Sequence, residues 1–230
     1  MSDQAGNLYK DKDKAYYGYV RTDIMSLIPG QGLKVLDIGC GKGTTLMELK
    51  KSGKAAQAVG IEINDGAIAA TRHLLDDVII GNIENIEIDY PDGHFDVIIM
   101  ADVLEHLVDP WGAIRKIKRY LGKEGILIAS IPNIREFKTI CTLFFKGDFR
   151  YAEAGILDRT HLRFFCRKNM VELFVNDFEI MEIKSVPELL KGEMAWLNKL
   201  TLRKFEEFFV IQYIIVARNK VLPAQTSQRG

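Results

Sequence analysis

Short, nearly unbroken apolar runs recur along the first part of the chain: LKVLDI (33–38), QAVGIEI (57–63), DVIIG (77–81), FDVIIMA (95–101) and GILIASIP (125–132). Their length and their Val and Ile content predict strands covered on both faces. Segments of helical spacing lie between several of them: TTLMELKKSG, closed by Gly53; DGAIAATRHLL (65–75); and PWGAIRKIKRYLG (110–122), with Pro at its first turn and Gly at its end. Strand and helix in turn argue a mostly parallel sheet with helices on both sides, an α/β doubly wound, Rossmann-like fold.

The ends depart from this rhythm. Apolar positions at Tyr17, Val20, Ile24 and Ile28 predict an N-terminal helix over 11–28, stopped by Pro29 and Gly30. After Pro132 comes an interrupted, aromatic insertion, about 133–166, in which FKTICTLFFKG reads as a helical lid with Phe144 and Phe145 over an apolar acceptor or over the core. KNMVELFVNDF (168–178) reads as helix, EIMEIKSV (179–186) as strand and ELLKGEMAWLNKLTLRKF (188–205) as helix. The last apolar run, FFVIQYIIVARN (208–219), follows too short a link for a crossover, so it can run antiparallel. These elements make one domain over 1–220, and VLPAQTSQRG (221–230) is expected to be a disordered tail.

Composition narrows the function classes. The 230 residues are 47% hydrophobic, enough for one sizeable core. Thirty-one basic and thirty-one acidic side chains cancel, which disfavours nucleic acid as a partner. The three cysteines lack CxxC spacing and the N-terminus has no apolar leader, so a cytoplasmic protein with reduced thiols is expected. No run approaches the roughly 20 apolar residues of a membrane span, although peripheral membrane contact stays open.

The most informative chemistry is VLDIGCGKGTT, where Gly39, Gly41 and Gly43 alternate directly after a strand. Glycines there let the chain turn sharply and let a ligand approach a helix N-terminus. The spacing is GxGxG; a dinucleotide fingerprint would need glycine where Thr44 stands. DIGCGKG, with Asp37 and Cys40 in it, resembles the first motif of class I S-adenosylmethionine-dependent methyltransferases, and the resemblance extends along nearly the whole chain. It implies a seven-strand sheet whose last strand is antiparallel, S-adenosyl-L-methionine as cofactor, and a set of contacts. Glu62, at the end of the second strand, would take the ribose hydroxyls, which suits a carboxylate, and Ile63 would lie against the adenine. Asn82 and Ile83 would flank the adenine, with Asn82 where the family often has Asp; Asn82 reads equally as a turn residue beside Gly81. Arg21 would meet the methionine carboxylate, its alternative being a solvated helix face. Ala101 and Asp102 would line the methionine end.

ADVLEHLVDP resembles the corresponding stretch of quinone-precursor O-methyltransferases and of many type 11 and type 12 small-molecule methyltransferases. Three roles stay open for Asp102, Glu105 and His106: a divalent metal site, although no ligand set is assigned; a histidine base oriented by a carboxylate; or a structural turn. His161, in GDFRYAEAGILDRTHLRFF, is a second candidate base, because that segment resembles methyltransferases of bacterial cell-surface polysaccharide clusters. The alternative is that Asp158, Arg159 and His161 only tie the insertion down by hydrogen bonds. The expected reaction is methyl transfer to a small-molecule acceptor, with a hydroxyl of a sugar or quinone-like phenol favoured. The competing classes are a non-catalytic cofactor-binding module, a methyltransferase acting on protein or nucleic acid, and an NAD-dependent oxidoreductase, which the glycine spacing disfavours.

Overall fold

The computed structural model describes residues 18–187 and 206–220. One seven-stranded sheet organises them, in the order β3-β2-β1-β4-β5-β7-β6. Its strands are β1 (Leu33–Ile38), β2 (Ala55–Glu62), β3 (Asp77–Ile80), β4 (Phe95–Ala101), β5 (Leu121–Pro132), β6 (Phe178–Pro187) and β7 (Val210–Asn219). The first five pair in parallel, and β7 lies antiparallel between β5 and β6. Strand order reverses between β1 and β4, so a crevice opens beyond their carboxyl ends.

Helices cover both faces: α1 (Thr22–Met25), α2 (Thr44–Lys51), α3 (Asp65–Ile68), α4 (Pro110–Lys118), α5 (Phe137–Lys146) and α6 (Arg167–Phe174). Alternation along each strand sorts its side chains between two cores. Leu36, Val59, Ile98 and Ala129 face α4 and α6. Val35, Ala58, Ile99, Ile128 and Ile214 face Ile24 of α1, Leu46 and Leu49 of α2, and Ile68 of α3. The period of two then places Asp37, Glu62, Ser130 and Gln212 on this second face at the sheet's ligand edge, beyond its apolar residues.

Several elements differ from the sequence expectation. Only α1 remains of the N-terminal helix within the described residues, and residues 11–17 lie outside them. Leu27 and Ile28 close the turn with i→i−3 bonds, and the backbone before Pro29 is disfavoured in the helical region. The helix expected over 65–75 divides into α3 and a 3-10 turn at Arg72–Leu74, because the Thr71 hydroxyl donates to the Lys42 carbonyl at 2.6 Å. The helix from Pro110 ends at Lys118, and β5 starts at Leu121, where the chain already pairs with Phe95. The helix from the insertion's end covers Arg167–Phe174, with 177 already in a turn. The expected helix at 188–205 and the tail at 221–230 lie outside the described residues. Among the described residues, no helix is long and apolar enough to cross a membrane.

Ile214 is fully buried on the strand that closes the sheet between β5 and β6. Ile214→Ala should cost about 2–5 kcal/mol, the range for a buried large-to-small change. Urea unfolding with an unchanged m-value checks this, and a loss below about 1 kcal/mol would mean that β7 packs loosely.

Candidate functional site

A cleft of about 750 Å³ opens at the carboxyl ends of the parallel strands. That volume falls within the usual range for small-molecule sites. Its lining includes Arg21, Asp37, Gly39, Cys40, Gly41, Glu62, Ile63, Asn82, Ile83, Ala101, Asp102, His106 and His161. Gly43 stands apart from that lining. It caps α2 in a left-handed conformation, and a Cβ there would come within 2.9 Å of Leu75 Cδ1, so its smallness serves helix packing. Gly39 has φ +73°, and a Cβ there would meet Val103 Cγ2 at 2.7 Å. The β1–α2 turn must therefore be side-chain-free at Gly39, and its backbone forms the cleft floor.

Glu62 sits buried at the end of β2. Its Oε2 accepts from Gly41 N at 2.8 Å and its Oε1 from Asn64 N at 2.9 Å. Each oxygen keeps a second acceptor position, the pattern a vicinal diol can use. Burial pushes the Glu62 pKa up, while these backbone donors pull it down. Asn82 is a turn residue as well as a lining one: its Oδ1 accepts from Glu84 N at 2.9 Å. Ile83 is buried beside it.

At the other end, Arg21 reaches the cleft from the chain just before α1. It grips Asp23 through Nε at 3.0 Å and Nη2 at 2.9 Å, and its Nη1 donates to Asp102 Oδ2. Burial works against the Arg21 charge, but Asp23 and Asp102 outweigh it and hold its pKa above the ordinary value. Asp102 has φ +57°, in the left-handed region, so its side chain leaves the line of β4 and turns toward Arg21. Ser130 Oγ accepts from Asp102 N at 3.1 Å and donates to Asp102 Oδ1 at 3.2 Å. Gln212 Nε2 also donates to Oδ1. A guanidinium and a carboxylate held together could meet the two charges of an amino-acid zwitterion.

Glu105 and His106 form a 3-10 turn, Leu104–His106, after β4. The Glu105 carbonyl accepts from Leu162 N at 2.8 Å and Arg163 N at 2.9 Å, which docks the 156–165 segment over the turn. His106 Nδ1 lies 3.1 Å from the Thr160 carbonyl, and His161 Nδ1 lies 2.9 Å from the Ile156 carbonyl. A carbonyl only accepts, so both rings carry their proton on Nδ1 when neutral and their lone pair on Nε2. The rings meet edge to face at 4.7 Å. Glu105 is buried, neither of its carboxylate oxygens has a hydrogen-bond partner among the described residues, and Oε1 lies 4.0 Å from His161 Nε2. Burial, with Asp102 nearby, raises its pKa well above the ordinary carboxylate value. One ligand atom from each of Glu105, His106 and His161 falls within 4.8 Å of the others, so this trio could hold a cation of mixed oxygen and nitrogen preference. The set differs from the one weighed in the sequence: His161 joins it, while Asp102 is engaged with Arg21, Ser130 and Gln212.

Asp158 accepts from Thr160 N at 2.9 Å and Thr160 Oγ1 at 2.7 Å, and Arg159 pairs with Glu153 at 3.0 Å. These two residues order the insertion itself, while His161 enters the cleft. Sequence reading assigned no role to Ser130 or Gln212. Their signal was a single polar side chain inside each of two apolar runs, GILIASIP and FFVIQYIIVA.

A family model described as a methyltransferase domain matches residues 29–162. The ubiquinone biosynthesis O-methyltransferase of Bradyrhizobium diazoefficiens is 32% identical over 108 residues, 44% of this chain and 41% of that protein. A ubiquinone/menaquinone biosynthesis C-methyltransferase of Shewanella sp. (strain ANA-3) is 32% identical over 104 residues, 42% of this chain and 41% of that protein. The chain thus matches less than half the length of these curated relatives. Among solved structures, a SAM-dependent methyltransferase from Archaeoglobus fulgidus superposes with TM-score 0.64 over 90% of this chain and 92% of that one, at 17% identity, which bears on the fold alone.

Burial pushes the Asp37 carboxyl up to about 7; the Arg21 charge opposes this and Glu62 adds to it. A carboxyl with a raised folded pKa binds its proton more tightly in the native state. Its stabilising contribution is therefore complete below the unfolded pKa, near 4, and is lost as pH rises through about 7. Asp37→Asn cannot ionise, so relative to the parent it should gain stability between about pH 4 and pH 8 in urea unfolding. A difference that stays constant over that range would show that Asp37 does not titrate there.

Proposed function

Because the chain belongs to the class I S-adenosylmethionine-dependent methyltransferase family, we propose that it transfers the methyl group of S-adenosyl-L-methionine to a hydroxyl of a small-molecule acceptor, a sugar or quinone-like phenol. The observation that carries the reading is the division of one cleft into three chemical zones. A buried diol acceptor, Glu62, stands at one end, and an opposed charge pair, Arg21 and Asp102, at the other. Two imidazoles stand beside them, on the turn after β4 and on the segment docked over it.

The residues fit the cofactor on chemical grounds. Glu62 has acceptor positions left for two ribose hydroxyls, Ile63 and Ile83 offer apolar surface to the adenine, and the glycine turn admits close approach. Arg21 and Asp102 suit the carboxylate and ammonium of the methionyl end. When bound, the cofactor supplies a sulfonium methyl that is already a strong electrophile. What this chain contributes is geometry and a proton acceptor. The sheet and the docked 156–165 segment hold the acceptor in line, a contribution of approach geometry. Nε2 of His106 or His161 takes the hydroxyl proton, since both Nδ1 atoms are committed to carbonyls.

One observation favours a second reading of the same corner. Glu105 is a buried carboxyl group without a hydrogen-bond partner among the described residues, and such a group is costly unless something compensates it. A divalent cation held by Glu105, His106 and His161 would do so and would polarise the acceptor hydroxyl. The two readings separate by a chelator: loss of turnover restored by added metal supports the cation, and indifference supports the imidazole base.

Glu62→Ala should weaken cofactor binding by about 1.5–3 kcal/mol in calorimetric titration, the scale of hydrogen bonds to a charged group. Unchanged affinity would remove Glu62 from the site. His106→Ala should leave cofactor affinity nearly intact and slow label transfer from methyl-labelled cofactor into a panel of phenols, sugars and metabolite extract. Equal turnover would return His106 to a structural role, and transfer to no fraction by the parent protein would favour a binding module.

A further inference from the structure

Gln212 interrupts an otherwise apolar run, FFVIQYIIVA, on a strand paired on both sides. Its backbone partners are Pro132 in β5 and Val186 in β6. The neighbouring backbone is pinned further, because Asn133 N donates to the Ile211 carbonyl at 2.9 Å and Asn133 Nδ2 to the Val210 carbonyl at 2.8 Å. A side chain set on such a frame has little freedom in where its tip can go. A polar residue at this point of an apolar strand invites a functional account.

The tip touches both members of the ion pair. Gln212 Nε2 donates to Asp102 Oδ1, and Gln212 Oε1 accepts from Arg21 Nη2 at 3.4 Å. A carboxylate there would only accept and an alkyl chain would do neither, so a neutral amide is the group that bridges anion and cation at once. The bridge matters because Asp102 is held in left-handed backbone, which it occupies at some cost. Ser130, from β5, holds the same Oδ1 from another direction at 3.2 Å. Together they leave Asp102 Oδ2 toward Arg21 and fix where the negative charge lies.

We propose that Gln212 is a positioning residue for the amino-acid end of the cofactor: it fixes Asp102 beside Arg21 so that the pair presents its two charges in one arrangement. This rests on the cofactor reading above. It also assigns a role to the antiparallel direction of β7, which brings the start of that strand, rather than its end, to the ligand edge of the sheet.

The test compares two ligands that share adenine, ribose and sulfur. S-adenosylhomocysteine carries the amino-acid end, and 5′-methylthioadenosine lacks it. Calorimetric titration of the full chain with each is made for the parent, Gln212→Met, which keeps the length of the side chain, and Gln212→Glu, which sets a second carboxylate against Asp102. Ser130→Ala, which removes the other neutral donor to Asp102, is read in the same way. Gln212→Met should bind S-adenosylhomocysteine about tenfold more weakly, or worse, with Gln212→Glu weaker still, while 5′-methylthioadenosine stays within about twofold of the parent. Equal losses on both ligands, or no loss on S-adenosylhomocysteine, would overturn the proposal while the parent's binding left the cofactor reading standing. A parent that bound neither ligand would overturn that reading, and this inference with it.

Discussion

The cleft depends on the ion pair between Arg21 and Asp102. Asp102 ends up there because the chain leaves β4 in a left-handed turn, which aims a carboxylate across the sheet edge instead of along it. Removing one partner of this half-buried pair leaves the other charge without its counter-ion and only partly reached by water, which is unfavourable. The sequence therefore brings polar groups to the pair from distant parts of the chain. Arg21 and Asp23 come from the start of the described chain, Ser130 from β5 and Gln212 from β7. The same contacts that balance the charge also fasten the N-terminal segment and the last strand to the middle of the sheet.

A simple periodicity explains why these groups converge. On the face that packs against α1, α2 and α3, three strands are apolar until the edge beside the cleft and then turn polar: Val35 gives way to Asp37, Ile128 to Ser130, and Ile214 to Gln212. The core and the site are thus successive positions on one surface. Burial then tunes the acids differently. Asp37 is pushed up to about 7 and Glu105 well above the carboxylate range, each chiefly by burial. Glu62 is also raised by burial, with backbone donors opposing part of the shift.

Much of this was legible in the chain. The strands of the parallel sheet announce themselves as β-branched runs and the turn after β1 by alternate glycines, whereas the antiparallel last strand follows from the family resemblance, because the chain between Pro187 and Val210 is not a short link. Asp37, Glu62, Ala101 and Asp102 were named through the resemblance to the family, which sets its contacts at strand ends, and all four line the cleft. What could not be read depends on contacts remote in sequence. Gln212 and Asp102 are brought together by the antiparallel pairing of β7 beside β5, and no spacing encodes that. The pairing of His106 with His161 likewise arises when the 156–165 segment bonds to the Glu105 carbonyl. Gly43 shows the converse, since a motif position resembling a cofactor contact serves the packing of α2 against Leu75. Helix lengths were overestimated wherever a hydroxyl or an early strand pairing competed with the helix, as at Thr71 and Leu121.

On the function proposed above, Glu62 and the Arg21–Asp102 pair mark opposite ends of one nucleoside-amino-acid site. The most direct measurement is a crystal structure of the chain with S-adenosylhomocysteine. Ribose hydroxyls on Glu62, the amino-acid end between Arg21 and Asp102, and the sulfur turned toward His106 and His161 are the expected result. A ligand lying elsewhere in the cleft, with Glu62 and Arg21 both uncontacted, would contradict it.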